Sequence, residues 1–248
     1  MTTERKRLDI LLTERGLAPS RSRARDMVHR GCVKIDGTPA LKAGQLLPLD
    51  TSICLDDPAS AYVSRAALKL AVGLEEAQIE VTGKRALDLG ASTGGFTQVL
   101  LERGAKHVVA VDVGHGQLVD ELRQEERVTC IEGLNARNIT LDDVGDAQDI
   151  VVSDMSFVSL RIAAEPSLLL AADGAEAVLL VKPQFEVGRE NIGKGGLVRD
   201  ENAISKMLDD IQAWFSALPG WRVTHLLPSP IEGGNGNKEH LLCGSRDG

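Results

Sequence analysis

Seven short apolar runs recur from about residue 85 onward, and the stretches between them place apolar residues every three or four positions. The runs are RALDLG, HVVAVDV, RVTCIEG, DIVVSDMS, AVLLVKP, WRVTHLLP and HLLCGS. Runs this short predict strands buried in a sheet, and the helical spacing at 94–103, 158–171 and 200–217 predicts helices packed over it. ALKLAVGLEEA, ahead of the first run, predicts a further amphipathic helix. Strands alternating with helices imply an α/β fold built on a mostly parallel, doubly wound sheet.

The first part of the chain is patterned differently. Leu8, Leu11 and Leu12 share one helical face, and Gly16 stops that helix. Ser20 is placed to cap a second helix, SRSRARDMVHR, which Gly31 ends. Met27 and Val28 face inward there, leaving Arg21, Arg23, Arg25 and Arg30 largely for solvent or phosphate. VKIDG predicts a strand entering an Asp36-Gly37 hairpin turn, with further short strands to about residue 55. DDPASA marks a boundary. The expected organisation is a small α+β domain over 1–58, a linker over 59–63 and the α/β domain over 64–248.

The chain has 248 residues, 43% hydrophobic and 26% charged, which excludes wholesale disorder. No apolar run approaches the roughly 20 residues of a membrane-spanning helix. MTTERKRLDI lacks the apolar centre of a signal peptide. Cys32, Cys54, Cys130 and Cys243 are scattered without metal-ligand spacing, so neither a disulfide framework nor a metal site is expected. The expectation is a reduced, soluble, cytoplasmic protein with no membrane partner. Oligomeric state leaves no mark on the sequence, and a monomer is the working expectation. Net charge is −8, yet residues 1–44 carry ten Lys/Arg against five Asp/Glu. A basic head on an acidic body is what one phosphate-contacting module would produce. A solvated charged surface is the plainer alternative.

Four stretches carry candidate chemistry. In ALDLGASTGGFTQVLLERG a strand ends at Leu89, a turn spans Gly90 to Gly95, and a helix begins near Phe96. Glycine lets a ligand approach the backbone, and the helix N-terminus offers free N–H donors. The stretch is neither GxGxxG nor a P-loop; its form is that of an S-adenosylmethionine (SAM) site, with Asp88, Gly90, Ala91, Ser92, Thr93, Gly94, Gly95 and Phe96 as candidate contacts. Asp112, ending the second strand, can accept from both ribose hydroxyls of an adenosine cofactor and would repel an NADP phosphate. Glu132 or Asn135, after the third strand, could meet the adenine. Asp154 ends the fourth strand at the sheet edge where such folds bind ligands. It sits in Asp-Met-Ser-Phe, not in the Asn/Asp-Pro-Pro-aromatic tetrad of adenine amino-methyltransferases. Pyrimidine-carbon methyltransferases need a cysteine nucleophile, often after proline, and no cysteine here follows proline or ends a strand facing the cofactor, so oxygen methylation fits better. Lys182 ends the fifth strand; it is either a base for a hydroxyl proton, a cation stabilising an alkoxide, or a solvent-facing strand end.

RLDILLTERGLAPSRSRARDMVHRGCVKIDG, YVSRAALKL, DLGASTGGFT, DVGHGQL, SDMSFVSL, VKPQFEVGR and GNGNKEHLL together resemble the TlyA-type, haemolysin A-like family of rRNA 2′-O-ribose methyltransferases. The likeness runs from residue 7 to 243. It implies an RNA-binding head like that of ribosomal protein S4, with Arg5, Lys6, Arg7, Arg21, Arg23, Arg25, Arg30 and Lys34 as candidate RNA contacts. It implies an FtsJ-like, Rossmann-type class I methyltransferase body of seven strands with the last antiparallel. Its Lys–Asp–Lys–Glu catalytic set falls on Lys69, Asp154, Lys182 and Glu239. Cofactor and partners would be SAM and ribosomal RNA or ribosomal subunits. Ala66-Ala67, where relatives often carry glycines, and His240, where an aromatic is common, depart from the pattern. EVGRENIGKGGLVRD is either a loop closing over RNA or a surface connection. A pseudouridine synthase would leave GASTGGF unexplained, and no transmembrane run, secretion signal or strongly basic amphipathic helix supports a lytic protein. An RNA-binding protein with an inactive methyltransferase fold is opposed by the filled catalytic positions, and a small-molecule methyltransferase would leave the basic head without a task.

Overall fold

In the computed structural model of the protein, residues 4–233 and 236–248 are described. Met1–Thr3 and the Gly234-Asn235 pair of GNGNKEHLL lie outside them. The chain divides into two compact units, Met1–Ser60 and Ala61–Gly248.

In the first unit, Arg5–Arg7 (β1) leads into Leu8–Glu14 (α1), followed by Arg21–His29 (α2). Val33–Ile35 (β2), Thr38–Pro39 (β3), Leu46–Pro48 (β4) and Ile53–Leu55 (β5) complete it. β1 pairs with β4, and β2 lies between β3 and β5, all antiparallel. Asp36 and Gly37 have φ of 48° and 82°, the paired positive values of a type I′ turn. The Ser20 hydroxyl caps α2 by accepting from Arg23 N at 3.2 Å. Leu8, Leu12, Met27 and Val33 form the small core.

Two arginines expected to face outward do not. Arg30 lies against Asp57 through both guanidinium nitrogens, at 2.7 and 2.9 Å, and its Nε reaches Asp26 at 2.9 Å. Its side chain is only 10% exposed, so burial is offset by a bidentate partner. Arg23 donates to the Ala59 carbonyl at 2.7 Å and is also mostly covered. Arg7, Arg21 and Arg25 instead converge on one buried carboxylate, Asp9, at 2.9, 3.2 and 3.0 Å, while staying about half exposed. Hydrogen bonding from Arg7, with Arg25 and Arg21, holds Asp9 far below the usual carboxylate range despite its burial. Lys6 pairs with Glu14 at 2.9 Å, Lys34 approaches Asp56 at 3.9 Å, and Arg5 is exposed.

A short 3-10 helix at Pro58–Ala61 runs across the boundary in the chain, and the second unit continues with the helix Ala67–Glu76 (α3). Then follow Arg85–Leu89 (β6), Gly95–Glu102 (α4), His107–Asp112 (β7), Asp120–Arg123 (α5), Val128–Glu132 (β8), Leu141–Val144 (α6) and Ile150–Ser153 (β9). Leu160–Leu169 (α7), Glu176–Val181 (β10), Glu201–Ala217 (α8), Trp221–Pro228 (β11) and His240–Arg246 (β12) close it. Seven strands form one sheet in the order β11-β12-β10-β9-β6-β7-β8. β10, β9, β6, β7 and β8 are mutually parallel, and β12 runs antiparallel to both β10 and β11.

The central strands are buried on both faces, which is why they read as continuous apolar runs. Ile150, Val152, Val178 and Leu180 point into a layer with Leu70, Leu74, Phe96 and Leu100 of α3 and α4. The alternate residues Val151, Ala177 and Leu179 meet Leu168, Ile211 and Phe215 of α7 and α8. That two-residue alternation fixes which strand-end side chains emerge together at the carboxyl edge.

Candidate active site

β6 ends at Leu89, and the chain turns sharply at Gly90, whose φ is 80°. A Cβ there would lie 3.1–3.2 Å from Met155 atoms, so the turn passes too close to the 154–156 segment for a side chain. Gly94 has φ 102°, and a Cβ on it would sit 2.3 Å from a Leu122 methyl. α4 begins immediately after, with no side chain capping its N-terminus. Thr97 N–H serves the Asp88 carboxylate, which leaves the N–H groups ahead of it as donors for an anion.

Asp112 faces this turn from the end of β7. One carboxylate oxygen accepts from Ser92 N and the other from Gly114 N, both at 2.8 Å, and each oxygen keeps a further lone pair. Glu132 is committed elsewhere. It accepts from Arg123 at 2.7 Å and from the backbone N–H of Gly116 and Gln117, and unlike Asn135 it does not border the cavity along this edge. These bonds, Arg123 foremost, hold Glu132 down to about 2 and fold the 114–118 loop against β8. Asn135 accepts from Arg137 N at 3.1 Å and remains on the cavity wall.

Two cavities meet along this edge. The larger, about 520 Å³, is bounded by Asp112, Gln117, Asn135, Arg137 and Phe157 among others, a size suited to a cofactor. The smaller, about 180 Å³, is bounded by Ala91, Thr93, Gly95, Phe96, Ser64 and Lys182. Gly90, Ser92, Asp154 and Ser156 border both. Of the residues expected to contact a cofactor, Asp88 and Gly94 border neither. Gly94 packs beneath Leu118 and Leu122. Asp88 is fully buried under the turn, where Oδ2 accepts from Thr97 Oγ1 at 2.6 Å and Oδ1 has no partner. Burial, with the charges of Asp154 and Asp112 adding to it, pushes Asp88 up to about 7 against the Thr97 hydrogen bonds.

That shift has a sign. A carboxyl raised in the folded state stabilises the fold below its unfolded value near 4, and the contribution is lost as pH rises through about 7. In the ligand-free protein, Asp88→Asn should gain thermal stability relative to the wild type as pH goes from 5 to 8. A gap independent of pH in thermal melts would contradict this.

The four residues of the expected catalytic set form two ion pairs. Lys182 Nζ lies 2.6 Å from Asp154 Oδ1, with Ser156 Oγ at 2.8 Å and the Asp154 carbonyl at 3.4 Å. Its side chain is 9% exposed, so it is no solvent-facing strand end. Lys69, on α3, meets Glu239 Oε2 at 2.5 Å, with both side chains nearly inaccessible. Glu239 precedes β12, and the backbone at Gly233 comes so near that a Cβ there would strike its carboxylate. Buried Asn237 ties this turn to the glycine-rich loop by donating to Gly196 O and accepting from Val198 N. Cysteine chemistry finds no support, since burial pushes the Cys243 thiol up to about 12 and raises Cys130 also. Among the described residues, no group of three or more His, Cys, Asp or Glu is placed to hold a metal ion.

Sequence reasoning missed Ser156 and Phe157. Phe157 is 91% exposed with φ 66°, a strained value for a bulky residue, and its ring lies 5.4 Å from that of Phe185. The signal was present, because Phe157 is the aromatic that closes Asp-Met-Ser-Phe.

The glycine turn, the ribose-type acceptor on β7 and the lysine–carboxylate pair at the carboxyl edge define a class I methyltransferase fold and site. SAM fits these residues: the turn leaves a cradle that a Cβ at Gly90 would fill, and Asp88 holds an unpaired buried oxygen beneath it. Comparison with known proteins agrees. Residues 62–246 match the FtsJ-like methyltransferase model and residues 6–52 match the S4 domain. The chain belongs to the FtsJ-like methyltransferase family. It is 44% identical to the 16S/23S rRNA (cytidine-2′-O)-methyltransferase TlyA of Mycobacterium tuberculosis, over 96% of this chain and 89% of that one. It is 40% identical to a protein named hemolysin A from Brachyspira hyodysenteriae, over 95% and 98% of the two chains. A solved structure from Streptococcus thermophilus, described as a hemolysin, superposes with a TM-score of 0.76 at 38% identity, covering 99% of this chain and 90% of that one.

Proposed function

We propose that this protein transfers the methyl group of SAM to ribose 2′-hydroxyls of ribosomal RNA, with cytidine as the target nucleoside, and does so in the cytoplasm. The observation that carries the reading is the Lys182–Asp154 pair at the edge of the glycine-turn cavities: a proton-handling amine beside a cofactor cradle, with no cysteine nucleophile and no Asn/Asp-Pro-Pro tetrad. SAM supplies an electrophilic methyl, so the protein has two tasks, aligning the hydroxyl and managing its proton. Asp112 would hold the cofactor ribose and the α4 N-terminus its carboxylate. Asp154 would keep the Lys182 amine in place, and Phe157 offers an exposed ring on which a base can stack. Lys69 and Glu239 complete the set as a buried pair beneath the substrate edge. The domain boundaries we favour are 1–58 and 64–248, the first carrying RNA and the second the chemistry.

Arg5, Arg7, Arg21 and Arg25 keep exposed guanidinium surface, with Lys6 and Lys34 beside their carboxylates, and form the phosphate-contacting face of the head. Replacing Arg21 and Arg25 together by alanine should weaken RNA binding and flatten its logarithmic salt dependence by about 1–2 units, leaving SAM affinity unchanged. Arg30→Ala should instead destabilise the head, because Asp57 would stay buried without its bidentate partner. An equal salt-slope change in both variants, measured by filter binding, would overturn this division. The reading as a whole is tested by incubating the protein with methyl-labelled SAM and isolated ribosomal subunits, deproteinised rRNA or transfer RNA. Label entering ribosomal RNA alone supports it, and label entering none of the three contradicts it.

A further inference from the structure

Lys182 Nζ has the Ser156 hydroxyl beside it as well as its ion-pair partner. An ammonium offers three N–H groups, and three acceptors stand around Nζ: Asp154 Oδ1 at 2.6 Å, Ser156 Oγ at 2.8 Å and the Asp154 carbonyl at 3.4 Å. The carboxylate and the carbonyl can only accept. The hydroxyl of Ser156 can accept from an ammonium or donate into the lone pair of a neutral amine. Position adds to this. Lys182 is buried and borders only the smaller of the two cavities, whereas Ser156 is exposed and borders both. A hydroxyl entering along the cavity edge therefore meets Ser156 Oγ before it meets the amine. Asp154 and Ser156 are two apart in the segment that follows β9, and both side chains reach the same amine.

We infer that Ser156 is a further catalytic residue, the relay that carries the proton of the target ribose hydroxyl to Lys182. This rests on the reaction proposed above. In the step, the 2′-oxygen gives its proton to Ser156 Oγ as the serine's own proton passes to the neutral amine of Lys182. The electron pair left on the 2′-oxygen forms the new bond to the methyl carbon, and the carbon–sulfur bond breaks with its pair going to sulfur. Serine ends as it began, and Lys182 ends as an ammonium held by Asp154. The relay also accounts for a serine in Asp-Met-Ser-Phe, since alanine or glycine would satisfy the backbone equally.

The test compares Ser156→Ala, Ser156→Thr and Lys182→Ala in single-turnover methyl transfer from SAM to isolated ribosomal subunits, with thermal melts and calorimetric binding of S-adenosylhomocysteine as controls. Ser156→Ala should fold normally, bind S-adenosylhomocysteine as the wild type does, and lose about 10²-fold in kcat with KM for RNA unchanged. Ser156→Thr should restore most of that loss because the hydroxyl returns. In mixtures of light and heavy water, the wild-type rate should follow a curved proton inventory, two protons moving together, and the alanine variant a linear one. A kcat within about threefold of wild type in Ser156→Ala, or an equal loss in Ser156→Thr, removes the relay. The two failures are distinguishable: full turnover in Lys182→Ala overturns the proposed reaction itself, whereas an inactive Lys182→Ala beside an intact Ser156→Ala overturns the relay alone.

Discussion

Replacing Lys182 by alanine is expected to lower methyl transfer by about 10³–10⁴-fold, near the top of what a single proton-handling group contributes. The amine emerges from β10, whose Ala177–Val181 are all buried, into a site where Asp154, Ser156 and a carbonyl meet it. In that variant Ser156 has no amine to which its own proton can pass, and the polar side chains left beside the smaller cavity are hydroxyls and the Asp154 carboxylate. Cofactor binding should survive, since Asp112 and the Gly90 turn stand on β7 and β6 and make no bond to Lys182. Arginine is expected to fail as well: its guanidinium stays protonated at any working pH and its planar fork does not fit a site built around one nitrogen. Single-turnover rates beside calorimetric cofactor affinities give the answer. Transfer within a few-fold of wild type in either variant would take Lys182 out of the chemistry.

The second large effect concerns stability. Lys69 and Glu239 are 7% and 2% exposed and depend on each other. Glu239→Gln removes the charge paired with the Lys69 ammonium, and breaking such a pair from one side costs about 3–5 kcal/mol. At roughly 2–4 °C per kcal/mol for a unit of this size, the body should melt about 6–20 °C lower. Adding Lys69→Met to that variant removes the stranded charge and should recover most of the loss. Turnover should stay low in both if, as proposed above, the pair is part of the catalytic set. Calorimetric melts decide the stability half: a double variant no more stable than the single one would show that the pair is not coupled as its geometry indicates.

Much of this architecture can be read in the sequence, for a physical reason. β6, β7, β9 and β10 are buried on both faces, so each is a continuous apolar run that stands out against polar loops. The turn after β6 is legible because Gly90 and Gly94 occupy backbone conformations closed to other residues. Ser20 and Asp36-Gly37 are equally local signals, each satisfied within three residues. What does not show is long-range polar pairing. Arg30 reads as a solvent-facing helix residue, yet its partner Asp57 lies 27 positions away in the boundary segment. Lys69 and Glu239 are separated by 170 positions. Hydrogen bonds carry no periodicity, so only their consequence, a charge at an apolar position, appears in the chain. Asp88 is the converse case: it belongs to the glycine motif and yet sits beneath the site instead of facing it, because β6 alternates and Leu87 and Leu89 point to the opposite layer. Strand order is silent too, since insertion of β12 between β10 and β11 is decided by the sheet as a whole.

The central claim is chemical: the methyl group goes to a ribose oxygen. Ribosomal RNA labelled by this protein from methyl-labelled SAM should be digested to completion with alkali. Alkali cleaves RNA by attack of the neighbouring 2′-hydroxyl, and a methylated 2′-oxygen cannot attack. The label should survive in alkali-resistant dinucleotides that yield 2′-O-methylcytidine on further digestion. Label recovered in ordinary mononucleotides, with the methyl on the base, would contradict it.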